Sequence, residues 1–288
     1  MQGPLARMLD ARRLHLQHGP IDLIVEAFGP DWHRALTQAE ARFPTVLTGL
    51  VAELDLLRAP LRLVRPTGPV AVRMTAAVAP FRQFVTPMAA VAGAVADEVL
   101  AAMITGCRLD KAYVNNGGDV AVWLAEGQEL IAAVSDRGDA GRVRLRADLA
   151  ARGIATSGWR GRSHSLGIAD AVTVVARDAA VADVAATLIA NAVDLPGHPL
   201  VARVPASDMS PDSDLGARLV TVDVGPLDTA EIQAALAAGQ KAAAAMLGDG
   251  LIAAAALFLA DQTALVGAFP TPQISHISGE HDARFQTA

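Results

Sequence analysis

The sequence contains a single cysteine, Cys107, among 288 residues, which excludes a disulfide bond within the chain. Such a cysteine content is typical of proteins that work in the reducing cytoplasm. We interpret Cys107 as a small core residue. With 52% hydrophobic residues, the chain is long enough to bury a substantial core without covalent cross-links. The composition therefore predicts a globular, cytoplasmic protein.

Positive charge and aromatic residues are both scarce. Lys and Arg number 24 against 30 Asp and Glu, which gives a formal net charge of -6, and 4% of the residues are aromatic. Nucleic-acid-binding surfaces usually carry a basic stripe with interleaved aromatic side chains, and this sequence has no such stripe. The composition argues against a nucleic-acid partner and favours a small or nucleotide-like ligand.

Long uninterrupted hydrophobic runs are also missing. The N-terminal stretch MQGPLARMLDARRLHLQHGP has no apolar run followed by a small-residue cleavage site, so no secretory signal is predicted. The stretch PMAAVAGAVADEVLAAMI carries Asp97 and Glu98 at its middle, and LIAAAALFLA is too short to cross a bilayer. We therefore expect no membrane-spanning segment.

Strand-like and helix-like stretches alternate along the chain, without a low-complexity linker or a short-period repeat. This organisation predicts one compact α/β or α+β unit over residues 1–267. The polar segment that follows, residues 268–288, is expected to form a mobile tail.

Helix starts are predicted from capping residues. The predicted N-caps are Asp31, Thr86, Asp178 and Asp228, the last with Glu231 as its capping-box partner. Pro44 is expected to break or restart the first of these helices, and Gly106 to end the second.

Strands are predicted from alternating and β-branched stretches. Residues 61–81, LRLVRPTGPVAVRMTAAVAPF, alternate and are punctuated by Pro and Gly, as expected of strands joined by a loop. The stretches DVAVWLA and ELIAAVS are predicted to pair as a hairpin around Glu126, Gly127 and Gln128.

The first candidate binding residues lie in YVNNGGDVAV, where Gly117, Gly118 and Asp119 interrupt a strand-like run. Glycines at a strand end permit positive φ angles and let a ligand approach the main chain. Asp119 would then accept a hydrogen bond from a ring N–H or a ribose hydroxyl. A glycine bulge, with Asp119 supporting a turn, explains the pattern equally well.

A second candidate stretch is RGIATSGWRGRSHSLG. Thr156, Ser157 and Gly158 are predicted in a polar loop that offers hydroxyls and free N–H groups to a phosphate. His164 follows and has the chemistry of a general base. An ordinary surface turn and a solvated histidine are the alternatives. The chain has no G-x-G-x-x-G, no P-loop motif and no G-x-S-x-G, so Rossmann, P-loop and serine-hydrolase sites are not predicted.

A third candidate is the pair Asp183 and Thr187, which are four residues apart and therefore share a face of a predicted apolar helix. Such oxygen donors suit Mg²⁺, which commonly takes further oxygens from water and substrate phosphates. Alternatively, Asp183 interacts with the dipole of its own helix and Thr187 donates to a backbone carbonyl of the preceding turn.

The order of these motifs resembles that of the ApbE superfamily, whose characterised members are FAD:protein FMN transferases. The resemblance covers roughly residues 85–195 and rests on the stretches AVAGAVADEVL, AYVNNGGDVAVW, GIATSG, HSLGIADAVTVVA and ADVAATLIANAV. It implies an α+β fold in which mixed β-sheets pack against helices. The stretch PMAAVAGAVAD is similar to the typical opening of an uncharacterised, cytoplasmic branch of the superfamily.

The resemblance also implies roles for the candidate residues. FAD would be bound by Gly117, Gly118, Asp119, Thr156, Ser157 and Gly158, with the T-S-G stretch near its phosphates. Asp183 and Thr187 would match the Mg²⁺ ligands, and His164 would match the catalytic histidine.

The N-terminal third lacks the family's usual signature for substrate positioning, and two motifs also depart from the transferase pattern. Ala92 stands where K-G-x-A-x-D has its lysine, and His164 is followed by SLGIADAV instead of the rest of H-I-I-D-P-x-T-G. The leading hypothesis is a flavin-nucleotide-binding protein that uses FAD and Mg²⁺ to transfer FMN to a protein acceptor or to cleave the FAD pyrophosphate. The alternative, which the departures favour, is a non-catalytic binding protein on the same scaffold.

Overall fold

The computed structural model describes residues 3–61, 65–133 and 142–268. The strands are β1 Leu5–Met8, β2 Arg13–His18, β3 Ile21–Phe28, β4 Lys111–Asn116, β5 Asp119–Leu124, β6 Glu129–Ala133, β7 Arg142–Arg146, β8 Gly153–Ser157, β9 Ala171–Ala176, β10 Val201–Pro205, β11 Leu219–Val224, β12 Ala254–Leu259 and β13 Gln262–Gly267. The helices are α1 Trp32–Arg42, α2 Pro44–Ala52, α3 Leu54–Leu57, α4 Pro69–Val78, α5 Val91–Ile104, α6 Ala179–Ala192, α7 Ala206–Met209 and α8 Thr229–Gly248, with a 3₁₀ helix, Pro87–Ala90, directly before α5.

A nine-stranded sheet in the order β1-β2-β3-β4-β5-β8-β9-β12-β13 forms the centre of the fold. The α+β class is thereby confirmed. The expectation of mixed sheets was wrong for the described residues, because all strand pairs there are antiparallel. The strand neighbours β2-β3, β4-β5, β8-β9 and β12-β13 are also consecutive in sequence, and antiparallel pairing is the geometry that short connections allow.

The main hydrophobic core lies between one face of this sheet and the helices. Strands β2 and β3 contribute alternate buried residues to it, including Leu16, Leu23 and Val25, so their period of two matches a half-covered sheet. Helix α6 packs on β8 and β9, and α5 packs beside α6 on β4 and β5. The helix pair α5 and α6 therefore lies over the strands that carry the candidate residues.

A second, smaller cluster covers part of the opposite face of the sheet. Strands β6 and β7 form a two-stranded sheet whose Leu130, Val143 and Leu145 pack with β5 side chains such as Val122. The predicted hairpin of β5 with β6 was therefore wrong in its pairing. The chain turns near Gly127, but β5 pairs with β4 and β8, and β6 leaves the main sheet to pair with β7.

The prediction of strands over residues 61–81 was also wrong, because α4 occupies much of this segment; residues 62–64 lie outside the described part. Gly68 and Pro69 begin α4, since proline at the first helical position suits its fixed φ angle. Val70, Met74 and Val78 then recur at helical spacing and are buried. The proline and glycine that indicated a strand boundary are the start signal of a helix.

The other helix predictions agree with the structure, with one change. Pro44 restarts the chain as α2, and Thr86 accepts a hydrogen bond from the N–H of Met88 at the start of the 3₁₀ helix. Asp31 precedes α1 as expected, but its carboxylate accepts from the N–H of Arg108 rather than capping the helix.

One helical stretch, Pro87–Ile104, is by length and composition apolar enough to cross a membrane. Half of it is buried within the protein, and Asp97 and Glu98 are engaged by backbone N–H groups and arginines. Core helices of soluble proteins share this length and composition. The extent of the predicted unit, residues 1–267, stays a prediction, and residues 269–288 of the predicted tail lie outside the described part of the chain.

Candidate functional site

The glycines of the motif N-N-G-G-D form the tight turn between β4 and β5. Asn116 pairs with Asp119 across the hairpin, and the two residues between them, Gly117 and Gly118, have φ angles of 64° and 115°. Positive φ at both central positions is the requirement of the two-residue turns that join antiparallel strands. The N–H of Gly118 donates to Oδ1 of Asn115 at 2.8 Å. The turn itself therefore favours glycine at both positions, and this β4–β5 hairpin was not predicted from the sequence.

The two glycines differ in their surroundings. A Cβ atom on Gly118 would meet no heavy atom within 4 Å, so its main chain faces open space that a ligand can approach. A Cβ atom on Gly117 would lie 1.7 Å from a guanidinium nitrogen of Arg162. Arg162 was not among the residues predicted from the sequence, although it lies two residues before His164.

Asp119 follows the turn and is buried, with 8% of its surface exposed. Its Oδ1 accepts a hydrogen bond from the N–H of Thr156 at 3.3 Å, so β8 already uses one of the two oxygens expected to face a ligand. Burial raises the pKa of Asp119 to about 7, while the Thr156 N–H and the Arg162 charge oppose that shift. The carboxyl is thus poised to bind a proton or a cation.

Thr156 and Ser157 are the last residues of β8, which corrects their predicted location in a loop. Thr156 is exposed, and its hydroxyl lies 2.8 Å from that of Thr173 on β9. Gly158 is buried, and a Cβ atom there would lie 2.4 Å from the carbonyl oxygen of Asp170. Close backbone packing explains this glycine, and its assignment to cofactor binding stays a prediction.

Asp183 lies on α6, which begins at the predicted cap Asp178. Its Oδ2 accepts from the N–H of Gly93 at 3.1 Å, so it interacts with the N-terminal turn of α5 instead of that of its own helix. Burial raises the pKa of Asp183 well above its usual value, and the nearby charge of Asp119 raises it further. The two candidate carboxyls therefore lie within electrostatic reach of each other.

Asp97 forms the reciprocal interaction. It lies on α5 and accepts from the N–H groups of Ala179 and Ala180, the first residues of α6, at 3.1 and 2.9 Å. Burial raises the pKa of Asp97 to about 6. Each helix thus supplies an aspartate that accepts hydrogen bonds from the start of the other helix. In both helices this aspartate follows the contacting helix start by four residues, Gly93 to Asp97 and Ala179 to Asp183. That repeated spacing is a sequence signal that could have identified the pair.

Close contact between the helices makes this arrangement possible. A Cβ atom on Gly93 would lie 2.2 Å from the carbonyl oxygen of Ala179. Any larger residue would separate the helix ends and lengthen both sets of hydrogen bonds. Asn116, buried beside the hairpin turn, donates to the carbonyl of Ala92 and links the turn to the same helix end.

Thr187 lies one helical turn after Asp183 and is partly exposed. Thr37 and Thr75 within helices, and Thr105 directly after α5, donate to the carbonyl oxygen four residues earlier. Within the described part of the chain, no such hydrogen bond is formed by Thr187. Its hydroxyl is therefore free to serve as an oxygen donor on the face that carries Asp183.

These oxygens fit a hard cation such as Mg²⁺. Asp119, which is buried, and Asp183, which is partly buried, both have raised pKa values, and a threonine hydroxyl lies on the same helix face as Asp183. Among residues 3–61, 65–133 and 142–268, no group of three His, Cys, Asp or Glu side chains is placed to hold a metal. The protein would thus supply few ligands, and the remaining oxygens would come from water and a phosphorylated ligand.

His164 is half-buried in the segment between Arg162 and Ser165. Arg162 lies against the glycine turn. The hydroxyl of Ser165 donates to Asn191 near the end of α6, and the Ser165 carbonyl accepts from the N–H of Thr221 in β11. His164 is therefore no more than about 7 Å along the chain from a residue of the site. Within the described residues, no hydrogen bond joins it to Asp119 or Asp183, and its catalytic role stays a prediction.

A separate depression of about 460 Å³ lies between the β1–β2 edge and α1. Met8, Trp32 and His33 are among its lining residues, and no candidate residue borders it. We assign the site by its chemistry to the glycine turn and the α5–α6 helix starts, because this depression has no comparable cluster of buried polar groups.

The chain matches the family model described as AbpE bacteria over residues 6–265. Similar curated proteins are the archaeal UPF0280 proteins of Methanothrix thermoacetophila, Methanopyrus kandleri and Archaeoglobus fulgidus, at 40%, 40% and 43% identity. The matches cover 38%, 46% and 38% of this chain and 46%, 53% and 45% of those proteins. The chain thus spans about half the length of the curated relatives it matches.

A solved structure also resembles the fold. The crystal structure of the ApbE protein from Thermotoga maritima aligns with 73% of this chain and 94% of that chain, at 12% identity and a TM-score of 0.43.

Proposed function

The chain belongs to the AbpE bacteria family, within the ApbE-like superfamily, and we propose from this premise that it binds a flavin nucleotide, FAD, together with Mg²⁺. Membership supports a flavin-related function at the level of the family. The observation that carries the proposal is the neighbouring pair of carboxyls, the buried Asp119 and the partly buried Asp183, beside the open glycine turn. Such a pair is costly to bury without a cation, and a phosphorylated ligand completes the coordination of that cation.

In this proposal the main chain at Gly118 receives the ligand, because no side chain occupies the space in front of it. The hydroxyls of Thr156 and Ser157 lie at the adjacent strand end and would donate to phosphate oxygens. Asp183 and Thr187 would hold Mg²⁺, with Asp119 beside them. When bound, Mg²⁺ would supply charge neutralisation at the pyrophosphate.

We extend the proposal to FMN transfer onto a protein acceptor. A hydroxyl of the acceptor would attack the phosphorus of the FMN half of FAD, the bond between the two phosphates would break, and AMP would leave. His164 would take the proton of the attacking hydroxyl. With water as the attacking group, the same steps would yield FMN and AMP. A cytoplasmic location is part of this proposal and rests on the single cysteine.

A second candidate function is binding without turnover. Within the described residues, His164 forms no hydrogen bond that would orient its ring, and Ala92 stands where the transferase pattern has a lysine. A base without an orienting partner is a weak catalyst. In that case the same residues would hold the nucleotide for delivery or storage.

Calorimetric titration with FAD, FMN and ADP, each with and without Mg²⁺, tests the binding proposal. We expect FAD to bind more tightly when Mg²⁺ is present, and Asp183→Asn to remove this difference because the amide carries no negative charge. Asp148→Asn is the matched control, since Asp148 is an exposed carboxylate paired with Arg146 on the β6–β7 sheet. Equal Mg²⁺ dependence in Asp183→Asn and in the unmodified protein would refute the metal assignment.

A further inference from the structure

Arg162 lies directly over the glycine turn between β4 and β5. A Cβ atom on Gly117 would be 1.7 Å from its Nη2 atom, well inside van der Waals contact. The turn needs a residue with positive φ at this position, which asparagine also tolerates, but a side chain there would have to displace the exposed end of Arg162. Gly117 therefore makes room for the guanidinium as well as for the turn.

The Arg162 guanidinium is the cation that acts on the buried carboxyl of Asp119. Its charge lowers the pKa of that carboxyl against the larger effect of burial. Arg162 is exposed, and within residues 3–61, 65–133 and 142–268 its N–H groups donate no hydrogen bond. The guanidinium is thus held near the turn by charge and packing while its donors stay available.

An anionic ligand at this site would otherwise lie beside three carboxyl groups. Asp119, Asp183 and Asp97 all lie near the α5–α6 helix starts. Arginine is suited to compensate, because its planar fork of N–H donors matches two oxygens of one phosphate group and keeps its charge at any physiological pH. Such a residue discriminates between a phosphorylated ligand and its neutral counterpart.

We propose that Arg162 recognises a phosphate group of the bound nucleotide and thereby selects phosphorylated flavins over riboflavin. The inference rests on the proposed function for the identity of the ligand, and on the contact between Arg162 and Gly117 for the residue. The guanidinium lies against Gly117, and from there its charge acts on the carboxyl of Asp119.

The test compares the binding of FAD, FMN, riboflavin and inorganic pyrophosphate by the unmodified protein and by Arg162→Gln. Charge-assisted hydrogen bonds to phosphate correspond to roughly 10- to 100-fold in affinity. We expect the variant to bind FMN, FAD and pyrophosphate weaker by that factor, with riboflavin affinity unchanged. Arg162→Lys should recover part of the loss, because it restores the charge without the planar fork.

Two further variants separate local from general effects. Arg108→Gln removes an equivalent charge from an exposed position on the loop before β4 and should leave all four affinities unchanged. Gly117→Ala places a methyl group where Nη2 lies and should weaken phosphate binding in the same sense as Arg162→Gln. Circular dichroism spectra that match the unmodified protein would show that each variant is folded.

The outcomes distinguish this inference from the proposed function. If Arg162→Gln weakens riboflavin and FMN equally, or changes neither, the phosphate-recognition role is refuted even though flavin binding stands. If the unmodified protein binds pyrophosphate through Arg162 but binds no flavin, the proposed function fails and the phosphate role stands. If it binds neither flavin nor pyrophosphate, both are refuted.

Discussion

Replacing Gly93 by alanine gives a sharp test of the packing that positions the site. In a helix, alanine is more favourable than glycine by about 1 kcal/mol, so the substitution should stabilise α5 if nothing else changed. At this position, however, the new Cβ atom would lie 2.2 Å from the carbonyl oxygen of Ala179 and 2.7 Å from the N atom of Ala180. The sign of the effect therefore reports whether the contact exists.

The magnitude follows from how far the helices must separate. A carbon–oxygen contact is comfortable at about 3.3 Å, so α6 would have to move by roughly 1 Å. The obstructing atoms belong to the backbone and cannot rotate away, and overpacking of this kind costs about 1–3 kcal/mol or more. After subtracting the gain in helix propensity of about 1 kcal/mol, we expect Gly93→Ala to destabilise the protein by up to about 2 kcal/mol. The same movement would stretch the 3.1 Å hydrogen bond from Gly93 to Asp183 and weaken Mg²⁺-dependent ligand binding.

Urea unfolding followed by circular dichroism measures this difference directly. Gly49→Ala is the matched control, since Gly49 lies inside α2 and a Cβ atom there would meet nothing within 4 Å. That variant should be more stable than the unmodified protein by up to about 1 kcal/mol. If Gly93→Ala were stabilising to the same degree, the close approach of α5 and α6 would be wrong.

Three further predictions concern the carboxyls and the histidine. Asp97→Ala should lower the free energy of unfolding by about 1–3 kcal/mol at pH 5, because the N–H groups of Ala179 and Ala180 lose their acceptor. The loss should be smaller at pH 7, because burial raises the pKa of Asp97 to about 6 and the unmodified protein then also bears the cost of a buried charge. Urea unfolding at the two pH values measures the difference. Burial raises the pKa of Asp119 from 3.8 to about 7, so the folded protein keeps a proton there that the unfolded chain releases, and the free energy of unfolding should fall as pH rises between about 4 and 7. Asp119→Asn should flatten this pH profile of unfolding. An unchanged slope would contradict the raised pKa of Asp119. His164→Ala should lower any FMN transfer or FAD cleavage by about 10²- to 10⁴-fold while FAD binding persists, as measured by released AMP and protein-bound flavin, and an undiminished signal would identify another base.

The parts of this protein that the sequence determined by itself are those governed by neighbours within a few residues. The caps at Thr86 and Asp178 and the capping box of Asp228 with Glu231 are confirmed, because a cap joins a side chain to an N–H group two or three positions away. The ordered motifs were likewise sufficient to recognise the family, and the four-residue spacing placed Asp183 and Thr187 on one helix.

Tertiary structure decided the contacts between distant segments. The hydrogen bond between Gly93 and Asp183 spans 90 positions, and that between Asp119 and Thr156 spans 37, so no local pattern shows that these groups meet. The partner of β6 and the position of Arg162 over Gly117 belong to the same class. Local preferences set the conformation of each segment. The close approach of two backbones, and the hydrogen bonds from one helix start to a carboxylate on another helix, depend on how the whole core packs, because helices and strands lie where their apolar faces are buried together.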